Sequence, residues 1–197
     1  IDPSRPVVAL TFDDGPSLNN ASESILNTLE KYGVRATFFV VGENAEKNAQ
    51  NIKRKAELGF EIGNHTYSHC KVSAVSGELL EKEILSTEFL LQDLCGVTPR
   101  VFRPPGGDIS KEAVELVNSL GYRYVLWSWR VDTRDWASVS VDSVVNTVLS
   151  GVKNGDIILF HDYVAGKSPT AEALEILIPK LQAQGYQFVT VSDLASL

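Results

Sequence analysis

Short apolar runs alternate with longer segments of helical period along this chain, and this alternation restricts the possible folds more than any other feature. Most of the runs lack a polar residue at every second position, which is typical of parallel strands covered on both faces. Regular strand-helix alternation predicts an α/β fold with a mainly parallel sheet, and about seven units favour a distorted, nearly closed (β/α) barrel. The predicted strands are Val7–Phe12, Ala36–Val41, Phe60–Gly63, Arg100–Arg103, Arg123–Trp127, Asp156–Phe160 and Gln187–Val191.

The segments between these runs have the apolar spacing of amphipathic helices. A glycine follows several of them at the position where helices commonly end: Gly33, Gly59, Gly96, Gly121, Gly151 and Gly185. Asn20 with Glu23 three residues later resembles a capping arrangement at the start of the first helix. The predicted helices are Ala21–Tyr32, Ala45–Leu58, Gly77–Leu94, Lys111–Leu120, Val141–Leu149 and Thr170–Gln184.

Length and charge limit the class of protein. A chain of 197 residues predicts a single domain, 1–197. The net charge of −7 argues against nucleic acid or an anionic membrane surface as the main partner. No apolar run approaches the roughly 20 residues of a membrane helix.

Because the chain begins at Ile1 and contains no methionine, we expect a processed form or an excised domain. Cys70 and Cys95 predict two buried free thiols.

The three histidines of the chain occur where a catalytic metal site would need them. His65 and His69 are four residues apart, so on a helical turn both rings would reach one ion. Asp14, at the end of the first predicted strand, would complete a two-histidine, one-carboxylate ligand set. Zinc is the first expectation, and cobalt, nickel or iron would also suit these ligands. The spacing alone also fits two unrelated surface histidines.

Further polar residues follow other predicted strands, where the chemistry of a β/α barrel collects. Asp13 is a candidate base, and Arg103 could pair with it in bidentate fashion. His161 is a candidate acid, with Asp135 as a partner that would orient the ring and favour its charged form. Gly106 permits close approach of its backbone N–H to an oxyanion. Trp136 could form a wall of the pocket, and Trp129 or Tyr163 could offer an apolar surface to a sugar ring, although core packing explains Trp129 and Tyr163 at least as well.

Five ordered motifs carry a resemblance to a known family. They are Thr11-Phe12-Asp13-Asp14-Gly15-Pro16, His65-Thr66-Tyr67-Ser68-His69, Arg103-Pro104-Pro105-Gly106-Gly107, Asp132-Thr133-Arg134-Asp135-Trp136 and Leu159-Phe160-His161. Together they resemble the polysaccharide deacetylase family, also called the NodB homology domain or carbohydrate esterase family 4, from about Val7 to about Val191. The resemblance implies a distorted β/α barrel that hydrolyses acetyl groups with one divalent metal ion.

The resemblance also implies a role for each matching residue. Asp13 would be the base, and Asp14, His65 and His69 would be the metal ligands. Arg103 would steady Asp13, and Asp135 would tune His161 as the acid. Leu159 and Trp136 would line the acetyl pocket. The chain departs from the pattern at Gly106, where many members carry an aromatic residue, so a ring that contacts the substrate is missing here.

We therefore expect a metal-dependent hydrolase that deacetylates N-acetylglucosamine-containing glycans such as peptidoglycan or chitin oligomers. An O-acetyl xylan esterase of the same family is the alternative within this class. A non-catalytic carbohydrate-binding relative and a metallophosphatase are alternatives from other classes; the complete set of base, ligands and acid argues against the former. The sparse basic residues argue against the latter. The resemblance implies a secreted or cell-surface protein, and we expect a monomer.

Overall fold

A computed structural model of the chain describes residue 2, residues 4–164 and residues 166–197. Within these residues, strands and helices alternate from the first strand to the last. The strands are β1 Val7–Asp13, β2 Thr37–Val40, β3 Glu61–Asn64, β4 Val101–Phe102, β5 Arg123–Tyr124, β6 Asp156–His161 and β7 Gln187–Phe188. The helices are α1 Ala21–Tyr32, α2 Gly42–Lys47, α3 Ala49–Glu57, α4 Gly77–Cys95, α5 Lys111–Ser119, α6 Val141–Gly151, α7 Thr170–Ala183 and α8 Val191–Leu194.

The strands form one parallel sheet in the order β5-β4-β3-β2-β1-β6, with β7 paired to β1 outside this path. One edge of β1 pairs with β6 as far as Asp13 and His161, which lie side by side at the carboxyl end. The other edge pairs with β7 near Val7 and with β2 from Thr11 onward. The sheet curls into a half-barrel, which confirms the predicted α/β class and distorted barrel.

The barrel does not close with a ladder between β5 and β6 in the described residues. The predicted strand Arg123–Trp127 was too long, because pairing with β4 ends at Tyr124 and one further bond runs from Val125 N to the carbonyl of Phe102. The next residues bond elsewhere: the carbonyl of Leu126 accepts from a guanidinium, and Ser128 N donates to the carbonyl of Ile157 on β6 at 2.9 Å. Among the residues that the structure describes, one backbone hydrogen bond therefore connects the two sides of the gap between β5 and β6.

The core lies between the sheet and the helices packed on it. At its centre the ring of Phe12 stacks on Phe38 at 4.8 Å and on Phe160 at 5.6 Å, measured between ring centroids. These residues come from the adjacent strands β1, β2 and β6, and all are fully buried. Stacked aromatic rings add about 0.5–1.5 kcal/mol per pair beyond their area burial. This packing fixes the relative heights of the three strands, whose carboxyl ends carry polar residues.

Other local expectations also differ from the structure. The helix predicted over Ala45–Leu58 is two helices, since Asn48 leaves helical geometry and its side-chain N–H donates to the carbonyl of Ser17 at 2.8 Å. The capping arrangement of Asn20 and Glu23 does not form. Glu23 instead accepts from Asn51 and pairs with Arg54 on α3.

At the end of the chain, the strand predicted to reach Val191 stops at Phe188. Thr190 and Asp193 form a capping box that begins α8 at Val191, so the last part of the predicted strand is helical. Gly151 is the last residue of α6 rather than a residue after it, whereas Gly33 and Gly96 end their helices in the left-handed conformation, as predicted.

The two cysteines are free, as predicted, but half-buried rather than buried. No helix in the described part of the chain is long and apolar enough to cross a membrane.

Candidate active site

The carboxyl ends of the strands surround one cavity of about 570 Å³. Most residues singled out in the sequence line it, together with neighbouring aromatic and charged side chains. Arg103 and Asp135 are fully buried and lie behind the lining, whereas Tyr163 is exposed and is not part of it. The lining residues are Asp13, Asp14, His65, His69, Gly106, Trp127, Trp129, Asp132, Arg134, Trp136, Leu159 and His161.

Asp14, His65 and His69 bring three ligand-type atoms together in the lining of this cavity. The Oδ1 atom of Asp14 lies 3.2 Å from Nε2 of His65 and 3.1 Å from Nε2 of His69. All three atoms lie within 4.8 Å of one another. Ligands of a tetrahedral ion with bonds of about 2.0–2.2 Å are roughly 3.3–3.6 Å apart, so the separations are near those of a metal site.

The hydrogen bonding of His65 supports the same interpretation. Its Nδ1 lies 2.7 Å from the carbonyl oxygen of Arg103 and therefore carries the proton. Nε2 then faces a carboxylate oxygen of Asp14, and either a proton on Nε2 or a metal ion between the two atoms makes this contact favourable. Burial alone would raise the pKa of Asp14, but hydrogen bonds with His65 and His69 outweigh it and lower this pKa. The donor set fits a divalent metal ion.

The two histidines do not lie on a helical turn, contrary to the expectation from their spacing. Residues 65–69 form a loop in which Thr66 and His69 have φ values of 65° and 59°. Left-handed φ costs a β-branched residue about 1–3 kcal/mol, so other contacts must hold the loop. Asn64 accepts from Thr66 N, and the Glu83 carboxylate of α4 accepts from the backbone of residues 67 and 68. Glu83 was not found in the sequence because nothing in its helical pattern distinguishes it.

Asp13 lies beside this ligand set, and the buried side chain of Arg103 binds its carboxylate. Its Oδ1 accepts from Nη1 of Arg103 at 2.8 Å, and its Oδ2 lies 3.9 Å from Nε2 of His65. The pairing with Arg103 is through one nitrogen rather than the bidentate form expected, because Nη1 also donates to Thr11 and Nη2 donates to the carbonyl of Leu126. The guanidinium stacks 4.1 Å from the ring centroid of Phe39. One carboxylate edge of Asp13 is thus fixed and the other faces the cavity.

His161 faces the cavity at the end of β6, and Asp135 orients it. The Asp135 carboxylate accepts from Nδ1 of His161 at 2.7 Å and from the backbone N of the same residue at 2.9 Å. Thr170 at the start of α7 donates a third hydrogen bond to that carboxylate. Burial alone would lower the pKa of His161, but the hydrogen bond to Asp135 and the nearby carboxylates raise it to about 9. The ring is therefore charged at neutral pH.

A buried ion pair under the Asp13-Asp14-Gly15-Pro16 turn was not expected from the sequence. Nζ of Lys55, on α3, lies 2.7 Å from Oδ2 of Asp162, and both side chains are fully buried. Asp162 follows His161 directly, and its backbone N donates to the carbonyl of Asp13. Its carboxylate packs against Gly15 so closely that a Cβ there would come within 1.9 Å of Oδ1. A lysine on the buried face of α3, next to Ile52, was the available signal.

We expect Lys55→Met to destabilise the protein by about 3–5 kcal/mol, because it leaves a buried carboxylate unpaired. Lys55→Met combined with Asp162→Asn removes both charges and is expected to recover most of this loss. Chemical denaturation of the wild type and the two variants measures the free energy of unfolding in each case. A loss below about 1 kcal/mol in the single variant would mean that this pair contributes no more than an exposed one.

Comparison with known proteins shows which family the chain resembles. A polysaccharide deacetylase family model matches residues 1–125. A peptidoglycan-N-acetylglucosamine deacetylase of Bacillus cereus is 42% identical over 191 residues, covering 97% of this chain and 89% of that protein. A solved peptidoglycan N-acetylglucosamine deacetylase, in complex with 4-naphthalen-1-yl-N-oxidanyl-benzamide, matches with a TM-score of 0.91 at 40% identity, over 95% of this chain and 87% of that one.

A second solved structure comes from a protein named for a different substrate. The family 4 acetyl xylan esterase of Clostridium thermocellum, in complex with a cobalt ion, matches with a TM-score of 0.88 at 38% identity, over 96% of this chain and 90% of that one. The metal dependence of this group agrees with the candidate ligand set of Asp14, His65 and His69. The family match and these near-complete similarities show that the chain belongs to the polysaccharide deacetylase family.

Proposed function

We propose that residues 1–197 form the catalytic domain of a metal-dependent hydrolase that removes acetyl groups from N-acetylglucosamine units of a glycan. Peptidoglycan is the first candidate polymer and chitin oligomers are the second. One observation carries the proposal: a metal-type ligand set, a fixed carboxylate and a charged histidine meet in one cavity. The names of the two peptidoglycan deacetylases described above favour peptidoglycan.

Asp14, His65 and His69 are the proposed metal ligands, with zinc as the first candidate and cobalt, nickel or iron as others. When bound, a divalent ion lowers the pKa of coordinated water and polarises a carbonyl oxygen. The protein supplies the orientation of these ligands. The carbonyl of Arg103 fixes the ring of His65, and the loop conformation held by Glu83 brings His69 to the same point.

Asp13 is the proposed base, which removes a proton from the water that attacks the acetyl carbonyl. Arg103 steadies it by binding Oδ1, so that Oδ2 remains directed at the ligand set. Because Arg103 is fully buried and also bonds Thr11 and Leu126, the orientation of Asp13 does not depend on solvent. Pre-set orientation of a base is a large part of its effectiveness.

His161 is the proposed acid, which gives its proton to the departing amine. Asp135 holds the ring through Nδ1, so the other nitrogen, Nε2, is free to donate into the cavity. The backbone N–H of Gly106 is the proposed donor to the oxyanion. Leu159, which is buried, and Trp136, which is 57% exposed, are the proposed walls of the acetyl pocket.

We expect kcat/KM to fall as the pH rises through about 9, because His161 loses its proton there. The hydrogen bond and charge of Asp135 raise this pKa, so Asp135→Asn is expected to move the alkaline limb to lower pH. The pH dependence of kcat/KM in wild type and variant gives the pKa of the alkaline limb, because kcat/KM depends on the ionisation of groups in the free enzyme. An unchanged limb in Asp135→Asn would contradict the assignment.

The second candidate function is removal of O-acetyl groups from xylan. The solved acetyl xylan esterase, at 38% identity over 96% of this chain, favours it. The same base and metal ligands would serve both reactions, because an ester is attacked in the same way as an amide. We further propose a secreted or cell-surface location, which fits a cell-wall polymer as substrate, and a monomeric catalytic unit.

The proposal is tested by acetate release from a panel of substrates. Chitin oligomers, peptidoglycan fragments and acetylated xylan are compared with metal-stripped and metal-restored protein. We expect release from peptidoglycan fragments that is lost on stripping and recovered with zinc. Release from xylan alone would favour the esterase, and binding of glycan without any release would favour a non-catalytic relative. Release of phosphate from a phosphorylated sugar, with none of acetate, would favour a metallophosphatase.

A further inference from the structure

The catalytic cavity continues sideways into a second depression, which we call the lateral groove. It is lined by His69, Lys71, Pro105, Gly106, Gly107, Asp108 and Ile109 and has a volume of about 630 Å³. His69 and Gly106 also line the catalytic cavity, so the two spaces share a border. Gly106 leaves this border open, since a Cβ added there would meet no atom within 4 Å. A chain longer than one sugar could therefore pass from the catalytic cavity into the groove.

The charge in the lateral groove is carried by Lys71. This lysine is exposed, and among the described residues no carboxylate lies within 4 Å of its ammonium group. Asp108, the acidic residue of the groove, is already engaged, because its Oδ2 accepts from Ser73 N at 2.7 Å. That hydrogen bond is the main reason that the pKa of Asp108 is lowered, with Lys71 making a smaller contribution. Ile109 adds an exposed apolar surface at 56% exposure.

A second exposed cation lies on the border of the same cleft. Arg134 lines the catalytic cavity and, within the described residues, makes no ion pair. The carboxylates of Asp13, Asp14 and Asp132 line the catalytic cavity and Asp108 lines the groove, so these two cations belong to a cleft of mixed sign. An exposed cation without an ion partner attracts a ligand group of the opposite sign, and salt screens this attraction steeply.

We propose that the lateral groove binds the sugar next to the one being deacetylated, and that Lys71 pairs with a carboxylate carried by that neighbouring sugar. This inference rests on the proposed function and narrows its substrate class. Peptidoglycan fits, because alternate sugars of its chain bear a lactyl group whose carboxyl is either free or joined to a peptide that itself carries carboxylates. Chitin does not, because its neighbouring sugars are uncharged. Gly106 provides the passage and Ile109 the apolar face. Lys71 distinguishes a chain whose neighbouring sugar is charged from one whose neighbouring sugar is uncharged.

The test compares acetate release from a chitin oligomer and from a carboxylate-bearing peptidoglycan fragment of the same number of sugars. Lys71→Glu is expected to raise KM for the peptidoglycan fragment at least about fivefold at low salt, and to raise it by a clearly larger factor than KM for the chitin oligomer. Lys71→Ala is expected to give a smaller rise of about two- to fivefold, as for an exposed pair. Both effects are expected to disappear near 1 M salt, where charges are screened within about 3 Å.

Lys53→Glu is the matched control, because Lys53 is exposed on α3 and lines neither the groove nor the cavity. It makes the same change of net charge and is expected to leave both substrates unaffected. Equal loss on both substrates in Lys71→Glu, or no change on either, would overturn the role of Lys71. If the wild type releases acetate from chitin but not from the peptidoglycan fragment, the proposal that the neighbouring sugar carries a carboxylate is overturned. Absence of release from every substrate would instead contradict the proposed deacetylase function.

Discussion

Replacing His69 by alanine is expected to remove the metal ion and the acetate-releasing activity together. His69 supplies one of three ligand-type atoms, and its side chain is 46% exposed, so its loss leaves no large cavity in the core. His65→Ala is expected to have the same effect on the metal but also to disturb packing, because His65 is buried. Metal content per chain by elemental analysis, together with kcat, measures both outcomes. Unchanged metal content in both variants would refute the ligand assignment.

Asp13→Asn is the control that separates a ligand from a base. The variant keeps the size of the side chain and its contact with Arg103, so we expect full metal content. Turnover is expected to fall by a factor of about 10²–10⁴, the usual contribution of a positioned base. If Asp13→Asn empties the site instead, Asp13 is a ligand and another residue must act as the base.

His161→Ala is expected to reduce the hydrolysis of an N-acetyl substrate far more than that of an activated aryl acetate. An amine is a poor leaving group unless it receives a proton, which His161 is placed to give. A phenolate departs without help, while attack by water is common to both reactions. The ratio of the two fold-losses in kcat/KM is expected to approach the factor of roughly 10²–10⁴ that general acid catalysis contributes.

His161→Ala is not expected to leave the buried carboxylate of Asp135 without hydrogen bonds. Asp135 would keep the hydrogen bond from the backbone N of residue 161 and the bond from Thr170, so its buried carboxylate stays partnered. Asp14→Ala, in comparison, should remove both activities. Equal losses on amide and activated ester in His161→Ala would leave no support for a proton donor. His161 would then be a binding or structural residue.

Local pattern was sufficient for several elements whose apolar pattern runs without a break. The predicted strand at β6 and the helices α1 and α4 lie within one residue of their observed ends, because their apolar periodicity is uninterrupted. Prediction failed where a hydrogen bond to a residue distant in the chain accompanies a break in the regular element. Asn48 divides the predicted helix by bonding the carbonyl of Ser17, and Arg103 takes the carbonyl of Leu126 where a strand was expected. Such bonds depend on residues far apart in the chain.

The sequence by itself determined which residues meet at the site, because parallel strands place their carboxyl ends at one edge and Asp13, His65 and His161 each lie at such an end. Only the tertiary structure decided how they meet. The left-handed turns at Thr66 and His69, the single-nitrogen contact of Arg103 and the buried pair of Lys55 and Asp162 all required the packed molecule. Each is a conformation or a buried charge that local energetics disfavour, so it exists only where contacts between distant segments offset its cost.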